Sequence, residues 1–434
     1  MRNFIRNLAT VGCAAMLAMI AAPAAAEEDG HVTYIIQAND TLYGIKERFL
    51  VSDADVFELR DYNRVRNTRA LRINSTLLIP RKMLDYTPIE LRVFRQSGPV
   101  SIEGGDAFDG QVLNEGERIV TRRNGFVTLM TNDGKRISLP SNTTARLIRA
   151  RRYTLGETID IDFEVESGRA RARSPRLNEE DRLRMRTPLA VTAVRGTEFR
   201  VAYDPQSGES SLTEVTEGVV NVSAGNDQID AASGFGIAST AAGVSEPLPL
   251  LPAPEFVDGG AIQTGEALEF TIEPVTGATG YRVQLAKEAG FLDVIAEELV
   301  EGTQATVTDI ENGSYFVRAR AISQSGLEGE TAATPFRRKQ LGIAAEEPEG
   351  SIDEGYRFAW IGNGEGENMF AFQMWEAGNP QTLLIDEVGF SETEFVLTDL
   401  DRGQYQWRVA IAQADEEEGL LKIWGETQTL NITE

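Results

Sequence analysis

The fold class of this chain is best indicated by one stretch, Ala190-Val191-Thr192-Ala193-Val194-Arg195-Gly196-Thr197-Glu198-Phe199-Arg200-Val201. It is rich in apolar and β-branched residues, which predicts extended structure. Gly196 inside it predicts a bulge or a close approach of two backbones. Comparable runs at 155–163, 215–222 and 315–321 predict further strands, and Asn132-Asp133-Gly134 predicts a hairpin turn that needs positive φ. We therefore expect a mainly β, multidomain protein.

Several motifs surround this stretch. They are Asn114-Glu115-Gly116-Glu117-Arg118-Ile119, Arg186-Thr187-Pro188-Leu189-Ala190-Val191 and Glu217-Gly218-Val219-Val220. Together with Asn132-Asp133-Gly134 and Arg195-Gly196-Thr197-Glu198-Phe199, they resemble the FecR domain family over residues 98–222. We place a FecR-like all-β domain at 90–225.

The FecR resemblance implies a role in interaction. Founding members of that family pass a periplasmic signal to a cytoplasmic sigma-factor regulator, for which they need a cytoplasmic domain and a membrane helix. Few residues precede the apolar N-terminal segment here, so we expect a β interaction module without transmembrane signalling. Arg195 is either a binding residue or a buried, paired arginine that organises the fold, and we favour the second interpretation.

Two runs of alternating charge lie in the same domain, and each places its members on one face of a strand. The acidic run is Asp160, Asp162, Glu164 and Glu166, and the basic run is Arg169, Arg171 and Arg173. We expect a hairpin in which the two runs neutralise each other by cross-strand ion pairs. A calcium site would need acidic residues at loop spacing with a glycine turn, which the runs lack.

Helical periodicity is convincing only near the N-terminus. Leu42, Ile45 and Phe49 share one face after Asp40, a predicted N-cap. Val56 and Leu59 share a second face after Ser52, with Asp55 three residues on. The pattern predicts strand, helix, helix, strand between residues 33 and 80.

This βααβ segment resembles a lysin motif (LysM), and we place the module at 31–82. The resemblance is carried by residues 34–45, by Asn63 and by Asn74-Ser75-Thr76-Leu77-Leu78-Ile79-Pro80. Asn39 and Asn74 stand where the family has glycines. Asparagine is the residue other than glycine that best tolerates left-handed backbone, so both turns can survive.

The LysM resemblance implies binding to N-acetylglucosamine-containing glycan, here peptidoglycan. The family holds the sugar in a shallow groove between the loop that opens the first helix and the loop before the second strand. On this chain the glycan-binding residues are then Asn39, Asp40, Thr41, Leu42, Arg72, Ile73 and Asn74. Leu42 and Ile73 would cover the acetamido methyl group or the sugar face. The alternatives are that Asp40 only caps its helix and that Leu42 only fills the core.

Two copies of one pattern follow a proline-rich linker predicted at 245–255. The first copy has Thr308-Asp309-Ile310, Gly313, Tyr315 and Arg318; the second, 90 residues on, has Thr398-Asp399-Leu400, Gly403, Tyr405 and Arg408. This period suits β-sandwich domains, which we place at 262–340 and 350–434. Each resembles a fibronectin type III or related immunoglobulin-like sandwich, with Tyr315 and Tyr405 at the tyrosine-corner position. We expect Trp360 and Trp407 in the core.

The first 26 residues have the pattern of a cleaved signal peptide, with Arg2 and Arg6, an apolar run and small residues up to Ala26. We therefore expect a periplasmic protein without a membrane span in the mature chain. Cys13, the only cysteine, lies in the leader, and His31 is the only histidine. Thiol catalysis, Ser-His-Asp chemistry and His-rich zinc sites lack their parts, so no cofactor or metal is expected.

Acidity is concentrated in the C-terminal half. Residues 31–86 hold 9 Lys and Arg against 7 Asp and Glu, residues 87–225 hold 20 against 20, and residues 226–434 hold 11 against 37. An acidic surface favours solubility and repels nucleic acid, so we expect no nucleic-acid partner. The two N-terminal modules can approach an anionic cell wall without repulsion.

These observations predict a non-enzymatic periplasmic adaptor. LysM would anchor it to peptidoglycan glycan strands, and the β domains would present surfaces to an unidentified envelope protein. One alternative is an envelope sensor or assembly factor with a specific protein partner. Another is a carboxylate-dependent wall glycosidase, which needs two carboxylates ~5–10 Å apart in a cleft.

Overall fold

The computed structural model describes residues 30–194, 196–206, 210–257, 261–415 and 419–433, and these are mainly β, as predicted. The signal peptide predicted at 1–26, with Cys13, and Arg195 lie outside the described residues. The chain divides into two compact units. The N-terminal unit comprises the described residues up to Thr87 together with Arg152–Thr158, and the large unit comprises Pro88–Arg151 and the described residues from Ile159 onward. None of the helices in the described ranges has the length and apolar character that a membrane crossing requires.

The N-terminal unit follows the predicted order of strand, helix, helix, strand. Its elements are β1 (His31–Ile35), α1 (Leu42–Phe49), α2 (Val56–Tyr62), β2 (Thr76–Pro80) and a 3₁₀ turn (Arg81–Met83). β1 and β2 pair antiparallel, with His31 opposite Pro80 and Ile35 opposite Thr76. The helices bury their apolar faces against this ribbon, and Tyr153 and Leu155 complete the same core.

Both helix caps differ from the sequence-based prediction. Thr41 caps α1, its Oγ1 accepting a hydrogen bond from the Gly44 N–H at 3.0 Å. Asp40 is not the cap, because its carboxylate accepts from Tyr34 and Arg48 instead. Asp55, not Ser52, caps α2 by accepting from the Phe57 N–H at 2.7 Å.

The described residues between 86 and 249 form nineteen strands, joined by turns and loops. They are β3 (Tyr86–Pro88), β4 (Leu91–Ser97), β5 (Val100–Ile102), β6 (Gly105–Asp106), β7 (Val112–Leu113), β8 (Arg118–Thr121), β9 (Phe126–Thr131), β10 (Arg136–Leu139), β11 (Thr143–Tyr153), β12 (Ile159–Arg173), β13 (Arg182–Arg186), β14 (Val191–Val194), β15 (Glu198–Tyr203), β16 (Ser211–Glu217), β17 (Val219–Ala224), β18 (Asp227–Ala232), β19 (Phe235–Thr240), β20 (Gly243–Val244) and β21 (Leu248–Pro249).

The long strand β12 connects two sheets. Its first half pairs in parallel with β13, which continues to β14, β17 and β18. Its second half pairs antiparallel with β10 and β15, and β15 continues to β16 and β19. Fully buried side chains such as Phe163, Phe199 and Val215 form the core of this region. The predicted turn at 132–134 joins β9 to β10, with Gly134 at φ 87°.

The predicted hairpin of charged runs is wrong, because both runs lie on the single strand β12. The acidic run pairs with arginines of other strands. Asp160 contacts Arg149 at 3.0 Å, and Asp162 contacts Arg184 at 2.9 Å. The basic run pairs with glutamates that follow it in the chain, as Arg171 does with Glu198. Alternating charge fixes which face a side chain occupies, but not which strand lies opposite.

The C-terminal part of the large unit holds two successive sandwiches. The first has β22 (Ile262–Gln263), β23 (Leu268–Thr271), β24 (Ala278–Ala286), β25 (Val294–Val300), β26 (Gln304–Val307), β27 (Gly313–Ser323) and β28 (Ala332–Arg338). The second has β29 (Leu341–Ala345), β30 (Glu349–Ser351), β31 (Gly355–Gly364), β32 (Met369–Glu376), β33 (Leu383–Phe390), β34 (Glu394–Leu397), β35 (Gly403–Asp415), β36 (Gly419–Trp424) and β37 (Gln428–Ile432). Here they are called repeat 1 and repeat 2.

The repeats share the predicted corner. The Tyr315 hydroxyl donates to the Glu311 carbonyl oxygen at 3.0 Å, and the Tyr405 hydroxyl donates to the Asp401 carbonyl oxygen at 2.9 Å. Trp360 and Trp407 are buried in the repeat 2 core, as predicted.

The segment predicted as a linker at 245–255 is packed rather than free. β21 pairs with β19, and the Glu330 N–H donates to the Leu251 carbonyl oxygen at 2.9 Å. The strand system of the central domain therefore continues past the predicted boundary at 225.

Candidate functional site

The two loops that carry the predicted glycan-binding residues lie side by side in the N-terminal unit. The Asn74 N–H donates to the Ile36 carbonyl oxygen at 2.9 Å, and the Leu42 N–H donates to the Thr68 carbonyl oxygen at 2.9 Å. The loop before α1 and the loop before β2 therefore lie next to each other. Asn39 to Leu42 belong to the first loop and the start of α1, and Arg72 to Asn74 belong to the second loop.

Asn39 and Asn74 have the backbone conformation that the sequence predicted. Their φ angles are 70° and 62°, in the left-handed region where asparagine replaces glycine at low cost. Both residues are exposed, and neither side chain makes a hydrogen bond within the described part of the chain. Each therefore offers an amide donor and acceptor to a ligand.

Asp40 is held by a compact network. Its carboxylate accepts from the Tyr34 hydroxyl and from the Gln37 N–H, each at 2.7 Å, and pairs with Arg48. Burial alone would raise the pKa of Asp40, but the hydrogen bonds from Gln37, Tyr34 and Arg48 outweigh it and lower the pKa below its ordinary value. The carboxylate fixes the loop, which leaves little of its hydrogen-bonding capacity for a sugar.

The two apolar residues assigned to the sugar occupy different environments. The Leu42 side chain is 0% exposed and packs in the core, whereas the Ile73 side chain is 53% exposed. Thr41 uses its hydroxyl as the helix cap, and Arg72 extends into solvent next to Ile73. The side chains that remain free to contact a ligand are those of Asn39, Arg72, Ile73 and Asn74.

Asn63 has a role that the sequence did not reveal. Its amide nitrogen donates to the carbonyl oxygens of Leu59 and Leu78, and its amide oxygen accepts from the Leu78 N–H at 2.7 Å. These bonds tie the end of α2 to β2. Its place in the LysM-like pattern was the only signal in the sequence, because the Leu78 contact spans fifteen residues.

The described residues contain no group of three or more His, Cys, Asp or Glu side chains arranged to hold a metal ion. Asp160 and Asp162, the most deeply buried carboxylates of the acidic run, are both neutralised by arginines. Ion pairing is thus the function of these carboxylates in the fold.

The first comparisons with known proteins concern the central domain. Residues 117–221 match the family model described as FecR protein. Two crystal structures of a putative anti-sigma factor from Parabacteroides distasonis are 22% and 20% identical to this chain, each with a TM-score of 0.25, and each match covers 30% of this chain and 57% of that one. No match was found among curated proteins.

Two structures of fibronectin modules are also similar. The chicken CNTN1 FN1-FN3 domains are 13% identical, with a TM-score of 0.21, over 80% of this chain and 99% of theirs. The Clostridium thermocellum CbhA fibronectin(III)-like modules are 12% identical, with a TM-score of 0.20, over 41% of this chain and 93% of theirs. FecR proteins are non-enzymatic regulatory proteins, which agrees with the prediction of a non-enzymatic role for the residues that match. Residues 117–221 of this chain form a FecR domain.

Proposed function

We propose that this protein is a non-enzymatic bacterial envelope protein whose FecR domain engages a specific protein partner in sensing or assembly. The match of residues 117–221 to the FecR family carries the proposal. FecR proteins are associated with the envelope, and the leader at 1–26 predicts export to the periplasm. The LysM-like and fibronectin type III-like segments add modules typical of extracytoplasmic proteins.

Packing within the large unit supports a role in which the FecR domain offers its surface to a protein partner. Phe126 of the FecR-like region packs against Phe291 and Val294 of repeat 1. The Arg200 guanidinium donates to the carbonyl oxygens of Glu328 and Gly329 at 2.7 and 2.9 Å. Apolar contact combined with directional bonds fixes orientation, so the FecR domain and repeat 1 offer a partner one rigid surface.

Site-directed photo-crosslinking tests this proposal. Phe108 is an aromatic residue that is 61% exposed on the FecR-like region, and exposed aromatic side chains are frequent anchors of interfaces. A photoreactive phenylalanine there should give one discrete protein adduct in intact cells. The matched control is Ile361 of repeat 2, 63% exposed. Equal adduct patterns at the two positions, or none at Phe108, would contradict a partner on the FecR-like region at 90–225.

We further propose that the N-terminal unit binds N-acetylglucosamine-containing glycan and so retains the protein at peptidoglycan. Support comes from the two adjacent loops, which expose Asn39, Arg72, Ile73 and Asn74. Their side-chain amides suit an acetamido group, and the isoleucine suits its methyl group. A single small module of this kind binds weakly, and retention then depends on further contacts.

Co-sedimentation with insoluble peptidoglycan tests glycan binding. Deleting residues 27–85 would remove the packing partners of Tyr153 and Leu155, so point variants are cleaner. Ile73→Ser should lower the pelleted fraction several-fold. Phe57→Ser is the matched control, because Phe57 is also 53% exposed but lies in the first turn of α2, outside both loops. Equal pelleting of both variants and wild type would reject glycan binding at these loops.

A further inference from the structure

A cavity inside the large unit is lined by an unusual number of arginines. It has a volume of about 40 Å³ and lies between the FecR-like strands β9, β10, β12 and β15 and the repeat 1 strands β24 and β27. Six guanidinium groups line it: Arg169, Arg171, Arg200, Arg282, Arg318 and Arg320. Glu328 is the one acidic residue among the described residues that line it.

The carboxylates that pair with these arginines are fewer than the arginines. Glu328 contacts Arg282 at 2.5 Å, Arg320 at 2.8 Å and Arg169 at 3.0 Å. Glu214 pairs with Arg200 at 2.8 Å.

Glu297 pairs with Arg282, and Glu198 with Arg171. Five of the six arginines thus share four glutamates, and Arg318 is the sixth. Charges removed from water need compensation, and these ion pairs supply it to every guanidinium of the cavity except that of Arg318.

Arg318 is the arginine without a carboxylate. Its side chain is buried, with the residue 6% exposed, and it makes no ion pair within the described residues. Its Nε donates to the Gln284 side-chain oxygen at 2.8 Å, and its guanidinium lies 4.2 Å from the centre of the Phe291 ring. Burial, and then repulsion from Arg320, Arg171 and Arg200, lowers the pKa of Arg318 well below its ordinary value. Arginine nevertheless keeps its proton in proteins, so the charge needs a partner.

Repeat 2 contains the same arginine–glutamine pair, so the pair can be compared between the two copies. Arg408 lies opposite Gln373 in the register in which Arg318 lies opposite Gln284. Arg408 bonds the Gln373 oxygen at 2.7 Å and stacks on Trp424, but it is only half-buried. The arginine–glutamine pair is therefore a feature of both copies, and enclosure by the FecR-like strands is specific to the first.

We propose that the cavity beside Arg318 binds a small carboxylate-class oxyanion of about four non-hydrogen atoms, such as acetate. A water-sized group needs about 10–15 Å³, so the cavity accommodates three or four of them. The forked guanidinium donors match two carboxylate oxygens. Phe126 and Val294 in the lining provide an apolar wall for a short tail. The bound anion neutralises Arg318 and links the FecR domain to repeat 1.

Equilibrium dialysis of the purified protein with radiolabelled acetate tests the site. The sodium concentration is held constant with gluconate, which is too large for the cavity. We expect one saturable acetate site per chain in wild type and in the matched control Arg408→Met, and its loss in Arg318→Met. Arg318→Lys keeps the charge but not the fork, and should weaken acetate binding at least tenfold.

Circular dichroism of each variant shows whether it is folded, and Arg318→Lys decides the question if Arg318→Met does not fold. Undiminished acetate binding by a folded Arg318 variant, or no saturable site in wild type, would overturn the proposal. Displacement of acetate by equimolar chloride would replace the carboxylate assignment by a halide site. These outcomes are independent of partner crosslinking at Phe108.

Discussion

Replacing Glu328 by glutamine is expected to destabilise the large unit by about 3 kcal/mol. The carboxylate is fully buried and receives ion pairs from Arg169, Arg282 and Arg320 at 2.5 to 3.0 Å. Removing one partner of a buried ion pair costs about 3–5 kcal/mol, because the remaining charge stays buried. Glutamine keeps the volume and one acceptor oxygen, which places the expected cost at the lower end of that range.

The pH dependence gives an independent check. Burial alone would raise the pKa of Glu328, but Arg169, Arg282 and Arg320 together hold it well below the ordinary glutamate value. A depressed folded-state pKa contributes stability that is complete above the unfolded-state pKa of about 4.3 and is lost as the pH falls through the folded-state pKa. The difference between wild type and Glu328→Gln should therefore be largest at neutral pH and shrink below about pH 4.

Urea unfolding followed by far-ultraviolet circular dichroism measures the effect. For a slope of about 3 kcal/mol/M, the midpoint should fall by about 1 M. Glu90→Gln is the control, because the Glu90–Arg92 pair is exposed and such pairs contribute about 0–1 kcal/mol. If Glu328→Gln shifted the midpoint no more than Glu90→Gln does, the buried network would not stabilise the fold as argued.

Three further predictions follow from single contacts. Tyr405→Phe removes the hydrogen bond from the hydroxyl to the Asp401 carbonyl oxygen and should destabilise repeat 2 by about 1 kcal/mol. Urea unfolding followed by tryptophan fluorescence measures this loss, because all four tryptophans lie in repeat 2, and an unchanged unfolding midpoint would contradict it. Asp40→Asn should destabilise the N-terminal unit at neutral pH, and this loss of stability should vanish as the pH falls through the depressed Asp40 pKa. Hydrogen exchange of peptides from 31–82 measures the stability, and a loss that does not depend on pH would refute the ion-pair explanation. Asn74→Val should cost about 1–2 kcal/mol in the same assay while Asn74→Gly should not, and equal effects would exclude strain at φ 62° as the cause.

Local sequence patterns predicted the existence of strands and helices more reliably than the residues at which they begin and end. The run at 190–201 is two strands, β14 and β15, separated at Gly196, which has a φ of 86°. A Cβ there would lie 2.5 Å from the Arg176 Cα. The sequence indicated the glycine's close approach but not its partner, because Arg176 is twenty residues away and the approach depends on the tertiary fold.

The same limit applies to the candidate glycan-binding loops. Left-handed backbone at Asn39 and Asn74 could be predicted, since residue type and turn position determine it locally. The burial of Leu42 and the engagement of Asp40 could not, because a helix start offers several acceptors and the tertiary neighbours Tyr34 and Arg48 decide among them. Predicted polar contacts are therefore least certain where a second partner competes.

Comparing the two repeats of this chain separates residues that the shared fold requires from residues that belong to one copy. Gln284 and Arg318 have counterparts in Gln373 and Arg408, so their pairing belongs to the shared fold. Arg282 and Arg320 lie opposite each other two positions further along the same two strands of repeat 1. The corresponding residues of repeat 2 are alanines, at positions 371 and 410. Two buried arginines are costly without carboxylates, and repeat 1 retains them where the FecR-like strands and Glu328 enclose a cavity. The charged face of repeat 1 thus coincides with its contact with the FecR domain, and the copies differ at the two positions where that contact is made.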